Sequence, residues 1–207
     1  MRLWALLVPL LLLASALALP RLEVAGRAVK VSNAAYEYVE LRGCPRVRLT
    51  NVTVEHGIRI YNCTDVELVN VKVLIAAVGL DIGDSKNVTV ANATVLNATW
   101  DGGLCIEGST NIAVANVTVC FAGDDGLRIE DSENVSAVDV SAHRAGDDGL
   151  CICLSRNVSV SDLRVYGARV CVRLEDSSSV TVKYYACFGE AGAVVERGCA
   201  NCRVWGP

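Results

Sequence analysis

Between residues 38 and 195 the chain repeats a single pattern of apolar and polar positions. The repeat restarts at Tyr38, Gly57, Gly79, Gly103, Gly126, Gly149, Cys171 and Gly192, at spacings of 19, 22, 24, 23, 23, 22 and 21 residues. With each restart as position zero, positions one and three are apolar throughout, from Val39/Leu41 through Leu104/Ile106 to Ala193/Val195. Positions nine and eleven repeat the motif from Val47/Leu49 to Val180/Val182, and positions fourteen and sixteen from Val52/Val54 to Leu163/Val165. The seventh repeat breaks the last pair with Tyr185/Cys187. An apolar residue at every second position is the period of a strand with one buried face, and no helical period fits. Three short strands per repeat are therefore predicted. A strand this short cannot bury its inward face alone, but repeats stacked about 4.8 Å apart pair each strand with its equivalents above and below. Three parallel sheets around one aliphatic interior follow.

The turns repeat as well. Position eight is Asn87, Asn111, Asn134 and Asn157 in successive repeats; position thirteen is Asn51, Asn70, Asn92 and Asn116, then Asp139 and Asp162. Stacked Asn amides can hydrogen-bond one another, and Asn tolerates left-handed turn geometry. Residues 36–204 resemble the right-handed parallel β-helix of the pectin-lyase-like superfamily. The resemblance implies an all-β chain, a single right-handed parallel β-helix of about seven coils with 19–24 residues per coil. Residues 38–207 would hold the β-helix and a C-terminal cap around Cys199–Cys202. The less regular residues 19–37 would cap the N-terminal end against edge pairing.

Ahead of the repeat, Met1-Arg2, the apolar run Leu3 to Leu13 and the small-x-small sequence Ala16-Leu17-Ala18 read as a secretory signal peptide over residues 1–18. The mature chain is expected to be secreted or on the extracellular surface, without a transmembrane helix. Only 5% of residues are aromatic against 52% hydrophobic, which suits a narrow interior of Val, Ile, Leu and Ala. A net charge of −4 lacks the basic footprint of a nucleic-acid binder. Gln is absent and Arg outnumbers Lys by 15 to 4, a depletion of thermolabile residues that predicts a thermophilic source.

Candidate chemistry gathers on one turn. The approach to three successive restarts reads Trp100-Asp101-Gly102-Gly103, Gly123-Asp124-Asp125-Gly126 and Gly146-Asp147-Asp148-Gly149. Asp101, Asp124 and Asp147 are equivalent in the repeat, as are Asp125 and Asp148. At about 5 Å and an effective dielectric near 20, two such charges repel by ~3 kcal/mol. Divergence into solvent, a shared proton, an Arg partner or a bound cation must relieve this. Asp124, Asp125, Asp147 and Asp148 are candidate ligands for calcium; no other cofactor is required. Trp100, Arg128, His143, Asp147 and Asp148 are candidate substrate-binding residues, the indole of Trp100 being suited to stack on a sugar ring. The segments Trp100-Asp101-Gly102 and Gly123-Asp124-Asp125 are similar to the Asn-Thr-Asp and Gly-Asp-Asp pattern of polygalacturonase-type glycoside hydrolases. That resemblance implies roles for Asp101, Asp124 and Asp125 in protonating a leaving oxygen and activating a water, with inversion.

Cys44 and Cys63 share position six in adjacent repeats, which places their backbones within disulfide range, and Cys199 and Cys202 could close a terminal loop. Eight Asn-x-Ser/Thr sequons occur, of which Asn97 alone lies on the third-turn loop outside the Asn rows and is the best glycosylation candidate. Three function classes remain open. The leading one is an extracellular protein binding a polysaccharide, cell-surface glycan or divalent cation on its acidic face without turnover. The others are a polysaccharide-cleaving enzyme and a purely structural module able to associate end to end.

Overall fold

The computed structural model describes residues 18–189 and 194–206. Residues 1–17 of the expected signal peptide, and the expected restart Gly192/Ala193, lie outside them. The described residues form a parallel β-helix with no helical element. Nine short strands, from Leu22–Ala25 to Val195–Arg197, stack into one sheet; nine strands, most of them longer, stack into a second, with a tenth, Ala186–Phe188, pairing beside its path. The restart register is reproduced residue for residue: Leu104 pairs with Leu127 and Leu127 with Leu150, and Val114 pairs with Ala137. Positions one and three are buried in every coil from Val39/Leu41 to Val172/Leu174, as are the two aliphatic pairs that follow them.

Three differences have physical causes. The second and third expected strands of a coil are hydrogen-bonded as one, for example Lys86–Val95, and bend at the Asn of position thirteen. Asn51, Asn70, Asn92 and Asn116 adopt φ of 52–55° there, so the corner is turned within the strand and two sheets form rather than three. Residues 22–36, expected to be less regular, pair in register instead: Leu22 pairs with Val39 and Val29 with Val47, adding a coil at the N-terminal end. At the other end Val195 pairs with Arg173 instead of Leu174, one residue out of the expected register, because Val194 packs against the interior.

The Asn rows are hydrogen-bonded columns. Nδ2 of Asn51, Asn70, Asn92 and Asn116 each donates to Oδ1 of the Asn one coil earlier, at 2.8–3.0 Å. A second column runs from Asp65 through Asn87, Asn111 and Asn134 to Asn157. A glycan attached at one of these nitrogens would occupy a donor that holds the column together.

A third column is buried. The expected Cys44–Cys63 bridge is not formed: both thiols are free. Position six runs Cys44, Cys63, Ser85, Ser109, Ser132, Ser155, Ser177, and each side chain accepts a hydrogen bond from the backbone N–H of the preceding member at 3.0–3.3 Å. Cys63 Sγ fills the place that a serine hydroxyl fills in the next coils. The bridges that do form are Cys199–Cys202 and Cys171–Cys187. The second follows from a rule of the coil. A Cβ on Gly149 would lie 2.4 Å from Val165, and one on Gly103 would lie 2.2 Å from Val119, so position zero touches position sixteen. In the seventh coil both positions are cysteine, Cys171 and Cys187, and the contact becomes covalent.

The buried column makes a prediction. Ser109→Ala strands the N–H of Ser85 and should destabilise the chain by about 1–3 kcal/mol. Ser109→Cys, which repeats what Cys63 does, should recover part of that loss. Thermal midpoints of the two variants check it; equal midpoints would contradict the assignment.

Candidate functional site

Each coil returns to its short strand through a third corner, pinned by an alanine row in which Ala76, Ala98, Ala122 and Ala145 bridge one another. The chain then passes through a Gly that its neighbour requires: a Cβ on Gly146 would lie 2.0 Å from the carbonyl oxygen of Gly123. Those constraints fix the backbone on which the aspartates stand. Carboxylate oxygens of Asp124, Asp125 and Asp147 lie within 4.8 Å of one another.

The five aspartates are not alike. Asp101 and Asp147 are part-exposed, and Asp101 Oδ1 accepts from Gly102 N at 2.8 Å. Asp148 is buried, 1% exposed, and its carboxylate is held in a fork by the Arg173 guanidinium, with Nη2 to Oδ1 at 3.0 Å. Asp148 is therefore not grouped with the three clustered acids, a departure from the expected four-residue cation set. Asp147 is paired with Arg169, an arginine not among the expected site residues. Asp125 is 4% exposed and accepts from the backbone N–H of Asp148 at 3.1 Å. Burial, then the charge of Asp124, push its carboxyl up to about 7. Burial and the charges of Asp101 and Asp147 also raise Asp124. Burial raises Asp148, with Arg173 opposing.

Beside the aspartates the outer face of the short-strand sheet is charged. The row at position two reads Glu40, Arg59, Asp81, Cys105, Arg128, Cys151, Arg173 in register. Arg59 pairs with Asp81 at 3.0 Å, while Arg128 pairs with Glu130 and approaches Asp101 at 3.9 Å. A hollow of about 270 Å³ opens here, bounded by Arg59, Asp81, Asp101, Glu107, Arg128 and Glu130. A larger hollow of about 820 Å³ lies on the other sheet, near Arg46, Arg48 and Glu67, away from the aspartates.

Two expected residues fall differently. Trp100 is on the same turn as Asp101 and is 84% exposed. His143 lies in an aromatic column, stacked on Tyr166 at 4.5 Å, which stacks on Phe188 at 4.6 Å. It is the last residue of the strand Glu133–His143 and its ring belongs to that column. The signal was in the sequence: His143, Tyr166 and Phe188 all occupy position seventeen.

A family model described as the right handed beta helix region matches residues 78–206, more than half of the chain. The chain belongs to this β-helix family. No curated protein matches it in sequence. Family membership accounts for the coil and its register.

Asp125 allows a sign to be worked out. Its folded pKa exceeds that of an unfolded Asp, so the folded state carries an extra proton between roughly pH 4 and 7 and loses relative stability as pH rises through that window. Asp125→Asn keeps the acceptor for Asp148 N–H and removes the ionisation. The variant should gain on the order of 1–3 kcal/mol over the parent at pH 8 and nothing at pH 4. Thermal midpoints across that range check it; parallel curves would contradict it.

Proposed function

We propose that the acidic turn binds a divalent cation and, through it and the adjoining hollow, an acidic glycan, without turning it over. The carrying observation is the clustering of Asp124, Asp125 and Asp147 within 4.8 Å. Two oxygens bound to one calcium at about 2.4 Å can be at most about 4.8 Å apart, so the three carboxylates can share an ion whose remaining positions are left for water or sugar oxygens. A cation would also oppose the burial and the like-charge repulsion that raise Asp124 and Asp125. Arg128, whose Nε and Nη2 are held by Glu130, leaves Nη1 to meet a sugar carboxylate beside the cluster, and the exposed Trp100 indole offers a flat apolar surface for a sugar ring. Placement outside the cell is supported by the N-terminal apolar segment and the cysteine pairs Cys171–Cys187 and Cys199–Cys202. Among the described residues no helix is long and apolar enough to cross a membrane. Asn97 lies outside both amide columns and is the sequon proposed to carry a glycan.

Calorimetry with calcium chloride and then with acidic and neutral oligosaccharides tests this. The parent should bind calcium, and Asp124→Asn/Asp147→Asn should bind it at least about tenfold more weakly, the loss of two of three anionic ligands. Acidic oligosaccharide should bind only with calcium present. Identical calcium affinity in the variant would overturn the reading.

A second reading rests on one observation: Asp125, holding a proton near neutrality beside Asp124, has the form of a general acid next to a base. In that reading Asp101, Asp124 and Asp125 cleave a glycosidic bond. Release of reducing ends from acidic oligosaccharides, abolished by Asp125→Asn, would favour it over binding alone; no release by the parent with calcium supplied would remove it.

A further inference from the structure

Apart from the aspartates, the most unusual chemistry on the short-strand sheet is a pair of thiols. Cys151 and Cys153 stand two residues apart on the strand Asp148–Cys153, on the same outer face, with Sγ atoms 3.1 Å apart. Neither forms a disulfide. The two differ in setting: Cys151 is buried at 6% exposure and Cys153 is part-exposed. Cys105, the other cysteine of that row, is two coils from Cys151 with Arg128 between them, so it is not a third member.

We propose that Cys151 and Cys153 form a redox-active dithiol that exchanges with low-molecular-weight disulfides. Cys153 is the attacking sulfur because it is the more accessible of the two. Its thiolate accepts a hydrogen bond from the Cys151 thiol, which lowers Cys153 and raises Cys151. Burial opposes the lowering most, followed by Glu175 and Glu130, the register neighbours of Cys153 on the flanking strands, while Arg128 adds to it. The step balances as two displacements. The Cys153 thiolate attacks one sulfur of the small disulfide, forming a mixed disulfide and expelling one small thiolate. Cys151 then loses its proton and attacks Cys153 Sγ, forming the Cys151–Cys153 bond and expelling the second thiolate. The dithiol is oxidised by two electrons and the small disulfide is reduced to two thiols.

The strand also makes the oxidised form easy to reverse. Residues two apart on an extended strand have Cα atoms separated by about 6.6 Å, near the upper limit of disulfide geometry. Closing the bond must draw the pleat together between paired neighbours, which favours reduction. The site is therefore a reversible one, unlike Cys171–Cys187, where two coil positions already touch.

The sequence supplies a clean assay. Cleavage after Arg144 and Arg156 releases Ala145–Arg156, in which Cys151 and Cys153 are the only cysteines. The folded full chain is treated with oxidised glutathione, quenched with iodoacetamide and digested. The expected peptide is unalkylated and about 2 Da lighter than its dithiol form, and returns to the dithiol with reduced glutathione before Cys171–Cys187 opens. In Cys151→Ser the glutathione adduct should accumulate on Cys153; in Cys153→Ser, Cys151 should stay unmodified over the same time. A parent peptide alkylated at both cysteines, or one that holds a glutathione adduct without closing, overturns the proposal. The parent measurement decides the matter even if a variant misfolds.

Discussion

Parallel pairing at a fixed coil-to-coil distance obliges the residues of each coil to stand directly above and below their own equivalents. For apolar residues the constraint is favourable at every step: Leu104, Leu127 and Leu150 form one continuous interior column. For amides it is favourable too, since an Asn offers both donor and acceptor and a column of them satisfies itself. For backbone N–H groups at the first corner, a serine or cysteine one coil on supplies the acceptor. For like charges the same constraint is costly, and the structure shows three ways of meeting it: Arg alternates with acid along the row through Arg59 and Asp81; Arg173 neutralises Asp148; and Asp125 is held in a setting that favours its proton.

The acidic turn is where that cost is left partly unrelieved. Asp124 stands over Asp147 and beside Asp125, and no arginine forks all three. Such a cluster stores unfavourable electrostatic energy that a cation or a proton can release. The glycines around it are equally constrained: Gly123 and Gly146 approach each other too closely for a side chain, so the turn cannot drift to separate the carboxylates. The turn is in this sense preorganised by the fold.

Much of this was legible in the sequence because a solenoid writes its three-dimensional neighbours as a one-dimensional period. The inward aliphatics, the Asn columns and the equivalence of Asp124 with Asp147 followed from the spacing alone. What was missed lay in columns that mix residue types. Cys44 and Cys63 look like a bridge until Ser85 and Ser109 are seen to continue the same row. Likewise, His143 looks like a companion of Asp147 until Tyr166 and Phe188 are placed beneath it. The joining of two expected strands into one was not legible, because a left-handed Asn can either end a strand or bend it, and hydrogen bonding on both sides decides which. The different fates of Asp125 and Asp147 depend on burial at the corner, which the period does not encode.

Coil register crowds the carboxylates of Asp124, Asp125 and Asp147 and pushes the Asp125 carboxyl up to about 7; a cation bound there, as proposed, would bring it down. Carbon-detected NMR of the side-chain carboxyls, titrated with and without calcium, tests it most directly. Asp125 should titrate near 7 without calcium and fall into the ordinary carboxylate range, about 4, when calcium is added. Titration of Asp125 in that ordinary range, with no response to calcium, would overturn it.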